Sequence, residues 1–405
     1  MNARKQYLWI SALMSYGFLL YFTASAIYRI DVALLEPYQL IFLGTALEVS
    51  VFLFEIPTGI LADLKSRKLS IFIGLFIVSL GLFLETSTTT FWVIFLSQSL
   101  WGFGYTFISG ALSAWVSDET RNEQIEQTFV KAAKYRKAAI VLGILSAALI
   151  GSISVRWAMA FSGILFMGLS IYVFFFVKEH LFVPVNHHTS MIKSYFIQLI
   201  SGAKHIWKSK ILRVLWIVIF FLGLYSEGID RLNEIFILDE IGFREILSGV
   251  SPIWITSIVA LSIALLGFLL LSIVEKHVHK AKYAYTWLIY FTIMMIGGLL
   301  IFTYMESAYI AVSGFIVFQI VREAKEPLIE LIQVRETPIA IKATVLSTMS
   351  QTDAIGQLIS GPLMAWISFQ YSMQSAFLIA TIIICVVLFF LMILKWFSNH
   401  REISI

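Results

Sequence analysis

Ionisable side chains interrupt the long apolar stretches of this 405-residue chain at several points. The main ones are Glu48, Glu55, Glu227, Asp230, Arg231 and Asp353. A charge in an apolar medium is costly, so each of these residues needs a partner or a polar cavity. A carboxyl group in an apolar cavity also binds a proton more readily than it does in water. The pattern therefore predicts reversible proton binding at one or more of these acids.

Glu227 is the first candidate for proton coupling, because it lies near the middle of its apolar stretch. Protonation would remove its charge, and a cationic substrate could compete with the proton for the same carboxylate. A structural ion pair with Arg231, one helical turn away, is the alternative. Arg231 could equally pair with Asp230 or with a residue of another helix.

Three other acids are further candidates for proton or substrate binding. Glu48 and Glu55 are seven residues apart and therefore share a face of one helix. Asp353 lies roughly 16 Å from the inner end of its segment, at 1.5 Å per helical residue. Alternatively, Asp353 is only hydrogen-bonded by its neighbours Gln351, Thr352 or Gln357. Glu55 could likewise only satisfy helix ends near Pro57.

Aromatic and polar residues of the same stretches are candidates for the lining of a substrate cavity. They are Gln98, Trp101, Tyr225, Asp230 and Arg231. Aromatic rings stack on flat ligands and hold cations by their π faces. The alternative for each aromatic side chain is contact with lipid or packing between helices.

The composition requires a membrane environment for these residues. The chain is 59% hydrophobic and only 13% charged, against about 25% charged residues in soluble domains. Windows of about 19 apolar residues predict twelve transmembrane helices. They lie near 8–30, 38–62, 69–86, 90–115, 137–155, 157–177, 212–236, 249–274, 283–303, 306–322, 340–366 and 370–396.

Lys and Arg residues predict the orientation and the division of the chain. With the N-terminus inside, 25 of the 29 fall on the inner side, so both termini are predicted to be cytoplasmic. Six helices precede and six follow a long connection, which divides the chain into a bundle at 1–178, a linker at 179–211 and a bundle at 212–405. Helical spacing of apolar residues between Ile192 and Trp207, with lysines among them, predicts an amphipathic linker helix on the inner leaflet, near anionic lipid. A plain tether is the alternative role of this linker.

A short charged connection follows the second predicted helix. It reads Gly59-Ile60-Leu61-Ala62-Asp63-Leu64-Lys65-Ser66-Arg67-Lys68. It resembles the loop motif of the major facilitator superfamily, Gly-x-Leu-Ala-Asp-(Arg/Lys)-x-Gly-Arg-(Arg/Lys), at six of eight defined positions. The resemblance implies an inner gate in which Gly59 permits close packing, while Asp63 and Arg67, followed by Lys68, form a charged latch. The alternative is that these residues only anchor a loop at the membrane surface.

Further segments resemble drug-efflux-like members of this superfamily, including those around Phe54–Gly59, Ser109–Trp115 and Ser226–Arg231. The Gly-Pro signature of antiporters is absent from residues 143–151. The resemblance implies a fold of two six-helix bundles that works by alternating access. The predicted function is proton-coupled export of hydrophobic drug-like compounds. The alternative is proton-coupled transport of a specific metabolite, such as a sugar, siderophore or peptide.

Several function classes lack their sequence signals. There is no phosphate-binding Gly-rich loop, no His-Glu-x-x-His and no Gly-x-Ser-x-Gly. We therefore expect no enzymatic activity, no catalytic residue, no cofactor and no metal site. The basic residues are scattered over short loops, so we expect no nucleic-acid partner. The expected partners are a small-molecule substrate, protons and the lipid bilayer, with a monomer in a bacterial plasma membrane. A receptor or scaffold built on a transporter fold is a second class.

Overall fold

The computed structural model of the chain describes residues 2–121, 125–183, 191–277, 281–338 and 341–401. These ranges form α-helices joined by short connections, without any strand. The helices before the linker are α1 (Ala3–Ile27), α2 (Pro37–Leu64), α3 (Arg67–Thr86), α4 (Phe91–Thr106), α5 (Ala111–Glu119), α6 (Ile125–Gly151) and α7 (Val155–Phe176). The later ones are α8 (Met191–Lys208), α9 (Lys210–Ile235), α10 (Phe243–Ile246), α11 (Pro252–His277), α12 (Ala281–Tyr304), α13 (Ala308–Glu336), α14 (Lys342–Gln370) and α15 (Met373–Arg401).

Nine helical segments of the described ranges are long and apolar enough to cross a membrane, judged by length and composition alone. The predicted spans 137–155, 306–322 and 340–366 overlap three further long helices, α6, α13 and α14. The number of twelve spans and the cytoplasmic termini stay predictions. The all-helical, membrane-type architecture is confirmed.

The chain separates into two compact units. The first comprises Met1–Ile192 with Gly249–Ile258, and the second comprises Lys193–Ser248 with Val259–Ile405. The predicted boundaries at 178 and 211 stay predictions, and residues 184–190 of the predicted linker lie outside the described residues.

Small residues set the close helix packing within each unit. In the first unit α2 packs on α4, and a Cβ at Gly102 would lie only 2.7 Å from the carbonyl oxygen of Leu47. In the second unit α9 packs on α14, where a Cβ at Gly223 would collide with the carbonyl oxygen of Asp353. Such contacts supply much of helix association in lipid, where the hydrophobic effect does not drive it. The second contact fixes Asp353 directly against α9.

Candidate functional site

A polar cavity lies within the second unit, between α9, α13 and α14. Its volume is about 330 Å³. The polar side chains that line it are Tyr225, Ser226, Arg322, Lys325, Glu326, Gln333, Ser350, Asp353 and Gln357. Tyr225 and Asp353 were predicted from the sequence, whereas the four polar residues from α13 were not. Basic and acidic groups therefore share one small space in a largely apolar unit.

Arg322 is held in the cavity wall by Asp230. Its Nη2 donates to Asp230 Oδ2 at 2.7 Å, and its Nη1 donates to Asp230 Oδ1. This two-pronged geometry suits the planar guanidinium and gives both strength and a fixed orientation. The guanidinium carbon also lies 5.6 Å from the ring centre of Tyr225. The predicted residue Asp230 is thus the partner of an arginine on another helix.

Lys325 is the most buried cation of the cavity wall, with 2% of its surface exposed. Its Nζ donates to the Tyr225 hydroxyl at 3.1 Å and lies 5.2 Å from the centre of the same ring. The carboxylate of Glu326 lies 3.6 Å away, and the Glu326 side chain is 65% exposed. An ammonium group has three donors, so these contacts leave Lys325 able to bind a further acceptor in the cavity.

Asp353 faces the same cavity from α14. Its Oδ2 accepts a hydrogen bond from Gln357 Nε2 at 2.8 Å, which is the polar contact considered as the alternative for this residue. The carboxylate nevertheless lines the cavity. It is therefore an acidic group with access to a bound solute.

Glu227 forms the ion pair that was the alternative to its coupling role. Arg231 Nε lies 2.9 Å from Glu227 Oε1, one turn along α9. Glu227 is buried and is not among the residues that line the cavity. The structure thus brings Glu227 and Arg231 together and places Asp353, not Glu227, at the cavity surface.

The first unit contains a buried charge network that the sequence analysis did not identify. Glu85 is fully buried on α3 and lies 2.8 Å from Arg29 Nε. Its second carboxylate oxygen accepts hydrogen bonds from Tyr21 at 2.5 Å, Gln98 at 2.6 Å and Ser97 at 3.0 Å. The predicted cavity residue Gln98 is therefore bound to a structural carboxylate.

The remaining candidates of the first unit occupy separate environments. Trp101 stacks on Tyr105 with ring centres 5.6 Å apart and an interplanar angle of 10°. The edge of Trp101 also meets Phe18 on α1, at 5.5 Å between centres. On α2, Glu48 is half-buried and Glu55 is exposed. These aromatic and acidic candidates are not among the residues that line the polar cavity of the second unit.

Arg67 of the predicted gate motif pairs with one acid on α5 and with one acid of the motif itself. Arg67 lies 3.1 Å from Asp118 and 3.7 Å from Asp63. The Glu179 carboxylate, which the sequence analysis did not single out, accepts hydrogen bonds from the backbone N–H groups of Arg67 at 2.8 Å and Lys68 at 3.1 Å. A carboxylate at this helix start satisfies free backbone donors and complements the helix dipole.

Gly59, the first residue of the motif, has open surroundings. A Cβ at this position would meet no described atom within 4 Å. The packing role that the resemblance implies for Gly59 stays a prediction.

The described part of the chain contains no group of three or more His, Cys, Asp or Glu residues suited to a metal ion.

Comparison with known proteins extends over most of the chain, although no protein-family model matches it. The chain is 21% identical over 374 residues to the uncharacterized MFS-type transporter YxaM of Bacillus subtilis, across 91% of this chain and 90% of that protein. The crystal structure of the nucleoside transporter NupG matches with a TM-score of 0.77 and 16% identity, over 97% of this chain and 99% of that chain. A POT family transporter in complex with a thioalcohol-conjugated peptide matches with a TM-score of 0.71 and 16% identity, over 98% and 96% of the two chains.

The architecture and these similarities define a multi-pass membrane protein with the major facilitator fold. The predicted fold and the resemblance to the superfamily are confirmed. Over most of its length the chain is similar to an MFS-type transporter, and it has the fold of the solved transporters.

Proposed function

We propose that this protein is a proton-coupled secondary transporter of a small polar solute, with its binding site in the cavity between α9, α13 and α14. The ionic lining of that cavity carries the proposal. A hydrophobic drug gains little from a wall containing Arg322, Lys325 and Asp353, because buried polar groups lose free energy unless a ligand pairs with them. The metabolite alternative therefore fits this cavity better than drug export.

The charged side chains of the cavity favour a solute that has both a negatively and a positively charged group. Lys325 and Arg322 offer donors to a carboxylate or phosphate group, and Asp353 offers an acceptor to an amine or a proton. Arg322 is already paired with Asp230, so Lys325 is the first choice for an anionic group. The similar solved structures are of a nucleoside transporter and of a POT family transporter in complex with a conjugated peptide, and nucleosides and peptides are polar solutes.

Asp353 is the proposed proton carrier. Of the acids that line the cavity, Glu326 lies 3.6 Å from Lys325, whereas Asp353 forms no ion pair with a described arginine or lysine. Glu227 and Asp230, which are outside the lining, are each paired with an arginine. A proton on Asp353 would neutralise the carboxylate while Gln357 still contacts it. Because the proton and the solute then bind in the same cavity, the binding of one changes the affinity for the other.

The test uses the full chain reconstituted in proteoliposomes that contain a pH-sensitive dye. Amino acids, dipeptides, nucleosides and sugars are added singly, and proton movement is recorded. We expect one polar class to move protons with the wild type. In Asp353→Asn, proton movement is lost while exchange of labelled solute across the membrane continues. Glu306→Gln is the matched control, because Glu306 is exposed and outside the cavity.

Two results would contradict the proposal. One is proton movement that Asp353→Asn leaves at the wild-type rate, which excludes Asp353 as the carrier. The other is proton movement with hydrophobic cationic dyes and with none of the polar solutes.

Drug export is the second candidate, and the aromatic cluster of the first unit favours it. Trp101, Tyr105 and Phe18 form a contiguous set of rings. The indole N–H of Trp101 is buried without a hydrogen-bond partner among the described atoms. A flat ligand with one acceptor atom would satisfy it. Trp101→Phe should then weaken transport of such dyes and leave polar solutes unaffected.

A further inference from the structure

A second cavity lies in the second unit, separate from the proposed solute site. Its volume is about 570 Å³. Its lining comes from the end of α8, the start of α9, the segment after α13 and the end of α15: His205, Lys208, Ser209, Lys210, Ile211, Leu212, Glu336, Pro338, Ile341 and Phe397. None of these residues lines the first cavity, so this site needs its own explanation.

The lining combines basic groups with an apolar wall. Two lysines, Lys208 and Lys210, and one carboxylate, that of Glu336, line the cavity, so its lining is net positive even with His205 neutral. Glu336 accepts a hydrogen bond from the Tyr285 hydroxyl at 3.2 Å. Lys210 Nζ lies 6.0 Å from the ring centre of Phe397. A cavity with lysines on one side and apolar side chains on the other suits an anion that has an apolar chain.

The helix that leads into this cavity has the character of an interfacial helix. On α8, Ile197, Ile200 and Trp207 expose 57%, 55% and 60% of their surface, while Lys204 and Lys208 are also exposed. Helices of this kind lie at the boundary between headgroups and acyl chains, where tryptophan is enriched.

Trp207 is held firmly at the end of this helix. The Arg213 guanidinium lies 4.8 Å from its ring centre and donates to the Trp207 carbonyl oxygen at 2.5 Å. Lys208, which follows Trp207 directly, lines the basic cavity.

Histidine completes the polar side of the cavity. His205 Nδ1 is 2.7 Å from the carbonyl oxygen of Ser201, one turn earlier on α8. A carbonyl oxygen accepts, so Nδ1 carries a proton and the orientation of the ring is fixed. The other ring nitrogen is left for contacts outside the helix.

We propose that this cavity binds the headgroup phosphate of an anionic phospholipid, with Lys208 and Lys210 contacting the phosphate and the acyl chains lying against Trp207 and Phe397. Basic pockets at the cytoplasmic side of transmembrane helices recognise lipid headgroups by the same electrostatic attraction. The lipid would hold α8 to the ends of α13 and α15, because the cavity lining joins these elements.

The full chain in detergent micelles is titrated with phosphatidylglycerol, or with phosphatidylcholine that has identical acyl chains. Native mass spectrometry of the protein released from the micelles then measures how much of each lipid it retains. We expect the wild type to retain phosphatidylglycerol selectively. Lys208→Gln with Lys210→Gln should weaken retention roughly 30-fold, from about 1 kcal/mol for each lysine near an anionic lipid. Lys131→Gln with Lys134→Gln is the matched control, since both lysines are exposed on α6.

One further variant and one competing anion distinguish lipid binding from misfolding and from binding of a soluble anion. Glu336→Gln removes the carboxylate of the cavity and should strengthen retention of phosphatidylglycerol, a gain that misfolding cannot produce. A large excess of inorganic phosphate should leave the lipid bound, because phosphate lacks the acyl chains. Equal retention by the two lysine double variants, or equal retention of the two lipids, would overturn the proposal. Displacement by free phosphate would instead assign the site to a soluble anion.

Discussion

Replacement of Arg29 by methionine should destabilise the first unit strongly, because it leaves the Glu85 carboxylate buried without its cation. Both side chains are buried, and their closest atoms are 2.8 Å apart. Removal of one member of a buried ion pair costs about 3–5 kcal/mol. Tyr21, Gln98 and Ser97 still donate to Glu85 in the variant, so the lower end of this range, about 3 kcal/mol, is expected.

Thermal unfolding of the purified protein in detergent, followed by intrinsic fluorescence, measures this effect. For a unit of this size 1 kcal/mol shifts Tm by roughly 2–4 °C, so Arg29→Met should lower Tm by about 6–12 °C. The control is Arg156→Met, because Arg156 is exposed and lies 5.5 Å from the ring centre of Tyr28. Arg156→Met should lower the free energy of unfolding by only about 0.5–1 kcal/mol.

A double variant separates the ion pair from general packing. Combining Arg29→Met with Glu85→Gln removes both charges, so no ion is left buried, and Tm should recover at least half of the loss in the single arginine variant. The reasoning is refuted if Arg29→Met lowers Tm by no more than the Arg156 control. It is also refuted if the losses of the two single variants simply add in the double variant.

Two further substitutions test the packing and the gate motif. Gly102→Ala should destabilise the protein by about 1–3 kcal/mol, because the new Cβ would lie 2.7 Å from the Leu47 carbonyl oxygen. Gly59→Ala, with open surroundings, should leave Tm unchanged or raise it, and equal losses in both variants would contradict this packing. Arg67→Gln removes a partly exposed ion pair with Asp118 and should cost less than about 1 kcal/mol. If the motif acts as a gate, the rate of solute uptake into proteoliposomes falls several-fold in Arg67→Gln, whereas an unchanged rate would favour a loop anchor.

Hydropathy predicted the helical membrane architecture because the bilayer imposes a long apolar stretch on each spanning helix. The loop at 59–68 indicated the resemblance to the superfamily, since its order of glycine, acid and base is specific. The pair of Glu227 with Arg231 was foreseen as an alternative, because both residues lie one turn apart on one helix. Local spacing is sufficient for such contacts.

The polar wall from α13 could not be predicted in this way. The apolar window ended at residue 322, whereas the helix continues to Glu336. Arg322 pairs with Asp230, and Lys325 hydrogen-bonds the Tyr225 hydroxyl. Both partners are about a hundred residues away in sequence. A hydropathy window scores each charged residue by itself and therefore cannot register a partner on another helix. The continued helical spacing of apolar residues beyond 322, up to Ile332, was the signal that could have extended this helix.

The pairing of Asp230 with Arg322 also bears on how membrane voltage acts on this protein. A charge that crosses the full potential changes in energy by about 2.3 kcal/mol for each 100 mV. A bound pair of opposite charges that moves together carries no net charge, so the voltage does no work on it. The same holds for Glu227 with Arg231. If the protein works as proposed, the current measured in each transport cycle reports the solute, its proton and the cavity groups that change partners, while the paired charges of α9 and α13 contribute nothing to it.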